Sequence, residues 1–221
     1  MSDVLRLAIF PLPNLVYFPG QNLPLHIFEA RYRKMLEDSL KAERRIGMVL
    51  LRPGWEKNYE GAPDTFSVGS YGSVSKVDRL ADGHYDLVLE SSRRYEILEY
   101  VQSSPYRVAT VRLLPEGPPP SPDVQGEQIQ RLVVTYMALA KQMGDDPAPQ
   151  FYPDQPGDYG RCVNTLSMNL GIHPLLRQEL LEMPSLADRG QRLELLLLRL
   201  LDRLKAQKQF NDVESEYHSV N

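Results

Sequence analysis

Apolar residues dominate the early part of the chain, yet prolines keep breaking them. Leu5 to Phe10 reads as a strand that Pro11 and Pro13 stop. Val16 to Phe18 is a short apolar piece closed by a Pro19-Gly20 turn. Leu23 to Phe28 reads as another short strand, with Pro24 near its start. Proline lacks a backbone N–H, so it suits strand starts, edges and turns rather than central ladders. The prolines therefore cut one apolar run into three short strands that change direction, as the corners of a small barrel require. From Glu29 the period changes. Tyr32, Met35, Leu36 and Leu40 recur at three- and four-residue steps, which predicts an amphipathic helix to about Lys41.

Ile46 to Leu51 has the continuous apolar character of a buried strand, and a 13-residue loop, Arg52 to Asp64, follows it. Strand-like runs then come close together: Thr65 to Ser70, Ser73 to Val77, Tyr85 to Glu90, Tyr95 to Val101 and Tyr106 to Leu113. Asp82-Gly83 between two of them is a hairpin signal. Many short strands with turn residues between them predict a closed or nearly closed barrel.

Pro115 to Asp123, "PEGPPPSPD", reads as a stiff extended linker, and beyond it the period is helical. Ser121 can cap a helix with Pro122 at its first position, and that helix is expected to end at Gly144. Asp145 to Gly157 is a second 13-residue loop. Tyr159 to Leu170, Pro174 to Met183, and a long run opened by Ser185 and reaching about Phe210 complete the helices. The tail "NDVESEYHSVN" reads as disordered. The expected fold class is α+β, mainly β and then α: a barrel over 1–116, a proline-rich linker over 117–123, a helical bundle over 124–210 and a disordered tail over 211–221.

Charge narrows the partners. The net charge of the 221 residues is −4. Residues 1–116 hold 15 acids and 15 bases, and residues 117–221 hold 14 and 10, so neither half carries the basic footprint of a nucleic-acid binder. The single cysteine, Cys162, allows no internal disulfide and fits a reducing compartment. The N-terminus makes a poor signal peptide, and the apolar segment Leu193 to Leu204 is interrupted by Arg199, Asp202 and Arg203. The reading is of a soluble cytoplasmic protein with no membrane segment.

No reactive constellation emerges. No glycine is followed by lysine, so there is no Walker A phosphate loop, and no G-x-S-x-G nucleophile elbow occurs. "GSYGS" at Gly69 to Ser73 reads as a bulge or turn. His26, His84, His173 and His218 do not pair at ligand spacing, and one cysteine cannot build a zinc site, so no metal and no cofactor are expected. Cys162 reads as a buried inert thiol. Arg31 and Arg33 read as part of a solvated helix face, and Arg93 and Arg94 as fold-stabilising or surface residues. The two long loops are the informative feature, because such loops are uncommon in compact domains and are often functional. The first carries Trp55 and Tyr59, and the second Phe151 and Tyr152. These aromatics either anchor a partner or fold back onto their own domain.

The opening stretch "LAIFPLPNLVYFPGQNLPLHIFEARYRKML" strongly resembles the start of the N-terminal, substrate-binding domain of the ATP-dependent Lon proteases. Phe18-Pro19-Gly20, Pro24 to Glu29 and Arg31-Tyr32 carry that family's F-P-G and L-P-L-x-I-F-E-x-R-Y pattern. Gly72 to Val77, "SSRRYEIL", "PYRVATVRLLPE" and "LGIHPLLRQELLEMPSL" are similar to later segments, with Ser91 where glycine is usual and Arg177 where lysine is. The resemblance runs from about Leu5 to Leu204. It implies a PUA-like pseudobarrel followed by a helical bundle, and a non-catalytic module that binds unfolded polypeptide or a specific protein partner. It also implies a stand-alone domain, without the ATPase and Ser-Lys protease modules that continue the family's longer chains. The residues expected at such a surface are Phe18, His26, Tyr32, Trp55, Tyr59, Phe151 and Tyr152, and exposed aromatic loops would permit a homodimer. Two alternatives stand beside this reading. One is RNA binding, which the PUA-like fold class includes and the charge count opposes. The other is a small-molecule site at the junction of barrel and bundle.

Overall fold

The computed structural model describes residues 3–59, 61–143 and 159–219. The chain forms two compact units. One comprises Met1–Gly117 and Ser167–Pro184, the other Pro118–Leu166 and Ser185–Asn221.

Among the described residues, the first unit holds six strands: β1 (Val4–Leu12), β2 (Asn22–Ile27), β3 (Arg45–Leu50), β4 (Val68–Arg79), β5 (Tyr85–Gln102) and β6 (Arg107–Leu113). They lie in the order β2-β5-β4-β3-β1-β6, and β6 pairs back onto β5. The ring β5-β4-β3-β1-β6 is thus closed, and β2 is an added edge strand. The length of β5 makes this possible. Its residues Tyr85 to Glu90 pair with β2, and Tyr95 to Gln102 pair with β6. Pro24 sits on the edge strand, where a missing N–H is tolerated.

Several local expectations change. β1 does not stop at Pro11 but continues to Leu12, with Pro11 opposite Val49 of β3. Its pairing with β6 ends at Ile9, so one side of the strand is already free where the N–H is missing. Val16 to Phe18 is not a strand. It is an irregular, buried segment whose Tyr17 hydroxyl donates to the Leu89 carbonyl at 2.8 Å. The runs expected as separate strands on each side of Ser70 to Ser73 are one strand, β4, with a register shift at Tyr71/Gly72 against β5. Likewise β5 runs unbroken through Ser91 to Arg94.

Helix α1 (Ala30–Lys41) buries Tyr32, Met35 and Leu36, the stripe its period predicts. These residues share a core with Phe10, Tyr17, Ile27, Ile46 and Leu89. A second cluster gathers Leu7, Ile9, Val49, Tyr71, Tyr95, Ala109 and Val111. Tyr95 is fully buried and donates to the Met48 carbonyl at 3.0 Å. Gly47 and Gly69 leave the space for it, since a Cβ at Gly69 would overlap the Met48 carbonyl oxygen and the Tyr95 hydroxyl.

Helix α4 (Pro174–Glu182) belongs to the sheet unit, although its period alone places it among the other helices. The Gln178 amide donates to the Val68 carbonyl at 2.9 Å. Arg94, 1% exposed, binds the Glu116 carboxylate and donates to the carbonyls of Leu181 and Met183 at 2.9 and 2.8 Å.

The second unit contains α2 (Pro122–Met143), the first two turns of α3 (Tyr159–Asn169) and α5 (Leu186–Ser219). The α2 and α5 helices pack together, and Arg131 on α2 pairs with Glu194 on α5 at 2.6 Å. The Tyr159 hydroxyl donates to Gln128 Oε1 at 2.8 Å. Ser185 caps α5, its hydroxyl accepting from the Asp188 N–H at 3.3 Å. The tail expected to be disordered from residue 211 instead continues α5 to Ser219, because no glycine or proline follows Gly190 to stop a helix. Cys162, the single cysteine, is buried.

Candidate functional site

The loop after β3 contains a short 3-10 turn at Trp55–Asn58, entered through Gly54 at φ +91°. The Trp55 and Tyr59 rings meet edge-on at 5.5 Å, both half-buried. The loop then folds back onto the start of α1. The Tyr59 hydroxyl donates to Glu29 Oε1 at 2.9 Å, while Arg31 Nε and Nη2 hold Glu29 Oε2 at 2.9 and 2.8 Å. The Arg31 guanidinium lies 4.7 Å from the Tyr32 ring centre and 5.2 Å from that of Tyr59. Arg31 is therefore a bridge between helix and loop, not a residue of a solvated face. Arg33 departs from that expectation as well, donating to the Gly83 carbonyl at 3.2 Å.

Beside this bridge is a cavity with about 20 Å³ of free interior, lined by Arg31, Tyr32, Tyr59, Pro63, Tyr106 and Arg107 among others. Tyr32 is 5% exposed and packs on Phe10 at 4.2 Å between ring centres. Burial pushes its phenol up to about 12. Tyr106 is also pushed up to about 12, by burial and by donating to Asp38 Oδ2 at 2.9 Å. The Lys34 ammonium, bonded at 2.6 Å, holds Asp38 below the usual carboxylate range, with a further contribution from Tyr106. Burial and the Glu29 carboxylate raise Tyr59. The phenols are thus neutral O–H groups across the working pH range. Arg107 is 8% exposed, donates to the Pro63 carbonyl at 2.8 Å and lies 5.5 Å from the Tyr100 ring centre.

A separate aromatic patch sits where β2 ends. His26 Nδ1 meets Asp86 Oδ1 at 2.7 Å, and His84 Nδ1 meets Asp82 Oδ2 at 3.1 Å. The two imidazoles are 5.3 Å apart, and Phe28, 56% exposed, lies 6.1 Å from His26 and 6.2 Å from His84.

Of the residues expected at a binding surface, the fold brings Tyr32 and Tyr59 to Arg31, with Trp55 packed against Tyr59. His26 lies in the second patch. Phe18 has no exposed surface and cannot touch a partner; its segment crosses the interior instead of lying along the sheet as a strand. Phe151 and Tyr152 lie outside the described residues. Sequence reasoning missed Phe28 and Arg107. Phe28 carries a signal in hindsight, as the last apolar residue of an alternating strand directly before a helix. Arg107 carries none, since its depth depends on loop residues far away in the chain. Among the described residues, no group of three His, Cys, Asp or Glu is placed to hold a metal ion. No described helix is long and apolar enough to cross a membrane.

The first unit is a closed sheet with an added edge strand, and it carries an aromatic loop beside a cavity lined by Arg31 and Arg107. Residues 6–199 match the family model described as the ATP-dependent protease La (LON) substrate-binding domain, and the chain belongs to that family. Lon protease 2 of Syntrophobacter fumaroxidans is 26% identical over 210 residues, covering 94% of this chain and 26% of the relative. Lon protease 2 of Myxococcus xanthus is 32% identical over 105 residues, 48% of this chain and 13% of its own length. The chain thus spans about a quarter of the length of the first of these relatives. Two solved structures share the fold. The N-terminal domain of Mycobacterium avium complex Lon protease has a TM-score of 0.64 at 14% identity, covering 90% of this chain and 98% of that one. The Lon N-terminal domain protein from Xanthomonas campestris gives 0.57 at 21% identity, covering 86% and 96%.

Proposed function

We propose that this chain is a non-catalytic domain of the cytoplasm that binds exposed segments of unfolded polypeptide. The observation that carries this reading is the match to the Lon substrate-binding domain over residues 6–199. The local geometry is consistent with it. Tyr59 is held by Glu29 and Arg31, Trp55 packs edge-on against it, and Phe28 stands exposed one residue before Glu29. Aromatic groups fixed in this way bury much apolar area on binding for little loss of rotamer entropy.

The test is binding of the full 221-residue chain to reduced, carbamidomethylated α-lactalbumin beside the native, folded protein. Trp55, the only tryptophan, also provides a fluorescence signal. The unfolded form is expected to bind and the native form not. Trp55→Ala and Phe28→Ala should each weaken binding about tenfold, the loss typical of a truncated aromatic anchor. Equal binding of native and unfolded forms, or none of either, would refute the reading.

A further inference from the structure

The imidazoles of His26 and His84 come from an edge strand and a turn, and each is held by one carboxylate. His26 on β2 lies opposite Asp86 of β5, and its Nδ1 meets Asp86 Oδ1 at 2.7 Å. His84 ends the turn that leads into β5. Asp82 holds it twice: Oδ1 accepts from the His84 backbone N–H at 2.9 Å, and Oδ2 meets Nδ1 at 3.1 Å. The turn is fixed in addition by the Leu80 N–H on the His84 carbonyl at 2.9 Å and by Arg33, which donates to the Gly83 carbonyl at 3.2 Å. The two carboxylates more than offset the charge of that guanidinium.

An ionised carboxylate only accepts hydrogen bonds, so Nδ1 carries the hydrogen in each pair. The Nε2 atom of each neutral ring then holds a lone pair. Both rings reach solvent, the side chains being 49% and 34% exposed. A carboxylate on one ring nitrogen is the arrangement that orients a metal-ligating histidine and makes its other nitrogen more basic. The spacing fits one shared ion. A Zn–N bond of about 2.0–2.1 Å, with about 1.1 Å from ring nitrogen to ring centre, puts each centre about 3.2 Å from the metal, and two such ligands at the tetrahedral angle have centres about 5.2 Å apart. The two ring centres are 5.3 Å apart.

We propose that His26 and His84 together bind one divalent transition-metal cation of the zinc class through their Nε2 atoms, with Asp86 and Asp82 as positioning residues. Imidazole suits Zn²⁺, Ni²⁺ and Cu²⁺. Among the described residues no group of three His, Cys, Asp or Glu forms, so solvent completes the coordination shell. The ion ties the end of β2 to the turn before β5, beside the exposed ring of Phe28.

The test titrates the full chain with zinc sulfate in a non-chelating buffer, read by calorimetry, and repeats it with His26→Gln, His84→Gln, Asp86→Asn and His173→Gln. One Zn²⁺ per chain is expected. Affinity should fall about tenfold or more in His26→Gln and His84→Gln and about tenfold in Asp86→Asn, and should be unchanged in His173→Gln. Two-bond ¹H–¹⁵N spectra of the unaltered chain provide a readout that a purely structural role for these side chains would not move. Zn²⁺ should shift Nε2 of both His26 and His84 while their Nδ1 atoms stay protonated. A thermal melt of each variant without metal separates loss of a ligand from loss of the fold, and where a variant is destabilised the spectra of the unaltered chain decide. Absence of Zn²⁺ binding, binding at full strength in both histidine variants, or a shift of only one of the two imidazoles overturns the inference.

Discussion

Arg94 in the sheet unit and Arg189 in the helical unit are almost equally buried, at 1% and 0% exposure, but they meet different surroundings. Arg94 collects acceptors from separate stretches of chain: the Glu116 carboxylate and the carbonyls of Pro115, Leu181 and Met183. Arg189 donates to the side-chain amide of Asn164 at 2.7 Å, joining α5 to α3. The difference follows from secondary structure. A closed sheet leaves carbonyls unpaired where loops and a helix end converge, since the last turn of a helix has no partners for its C=O groups. One guanidinium with five donors satisfies several of them at once. Within a helix pair most carbonyls are already bonded, and the buried cation meets a side chain.

That contrast can be tested, beginning with the largest effect. Arg94→Met removes the guanidinium that binds the Glu116 carboxylate and the carbonyls of Pro115, Leu181 and Met183, and breaking such a pair costs about 3–5 kcal/mol. Urea unfolding followed by Trp55 fluorescence reads the sheet unit, and its midpoint should fall sharply. An unchanged midpoint would mean the carbonyls find other donors. Arg189→Met removes the bond to Asn164 Oδ1, at a cost of about 1–3 kcal/mol. The loss should show first in the helical circular dichroism, with the Trp55 midpoint less affected. A reversed order of the two variants would break the comparison.

The glycines sharpen it further. A Cβ at Gly190 would overlap the Tyr159 hydroxyl, the far end of a side chain, whereas one at Gly69 would overlap the Met48 backbone oxygen. Each Gly→Ala change should cost about 1–3 kcal/mol as overpacking. Tyr159→Phe should recover part of the Gly190→Ala loss in a double-mutant cycle. Tyr95→Phe should recover little of the Gly69→Ala loss, because the backbone contact remains.

The smallest effect is alkaline. Tyr32 and Tyr106 in the sheet unit and Tyr159 in the helical unit are each pushed up to about 12, mainly by burial. A phenol whose folded value lies above its unfolded value, near 10, favours the folded state fully below that pH. The contribution is lost as pH rises from about 10 to about 12, because the unfolded chain ionises first. Phenolate absorbance should therefore lag behind that of free tyrosine, and the Trp55 signal should report loss of the sheet unit across that window. Tyr106→Phe should reduce the pH dependence of that signal.

Much of the fold was legible because it is local. The period of Tyr32, Met35 and Leu36 gave α1, the capping serine gave the start of α5, and the spacing of strand-like runs gave a closed sheet. The errors fall where a long-range partner decides. The path of β1 through Pro11 depends on where β6 stops pairing. The membership of α4 in the sheet unit depends on Val68 and Arg94. In the candidate site, Trp55, Tyr59 and Tyr32 were visible as aromatics on a loop and helix start. Phe18 was misread because an apolar residue in an irregular segment has no period to reveal its face. Arg107 gave no signal, because charged residues are normally exposed.

By itself the sequence determined the kinds of elements and their order, since helix and strand periods and proline or glycine breaks act over a few residues. The tertiary structure alone decided which strands close the ring and which helix joins the sheet. It alone placed Arg94 beside Glu116 and Arg107 against the Pro63 carbonyl. Those outcomes depend on contacts between residues distant in sequence, where burial and hydrogen-bond satisfaction outweigh local preference.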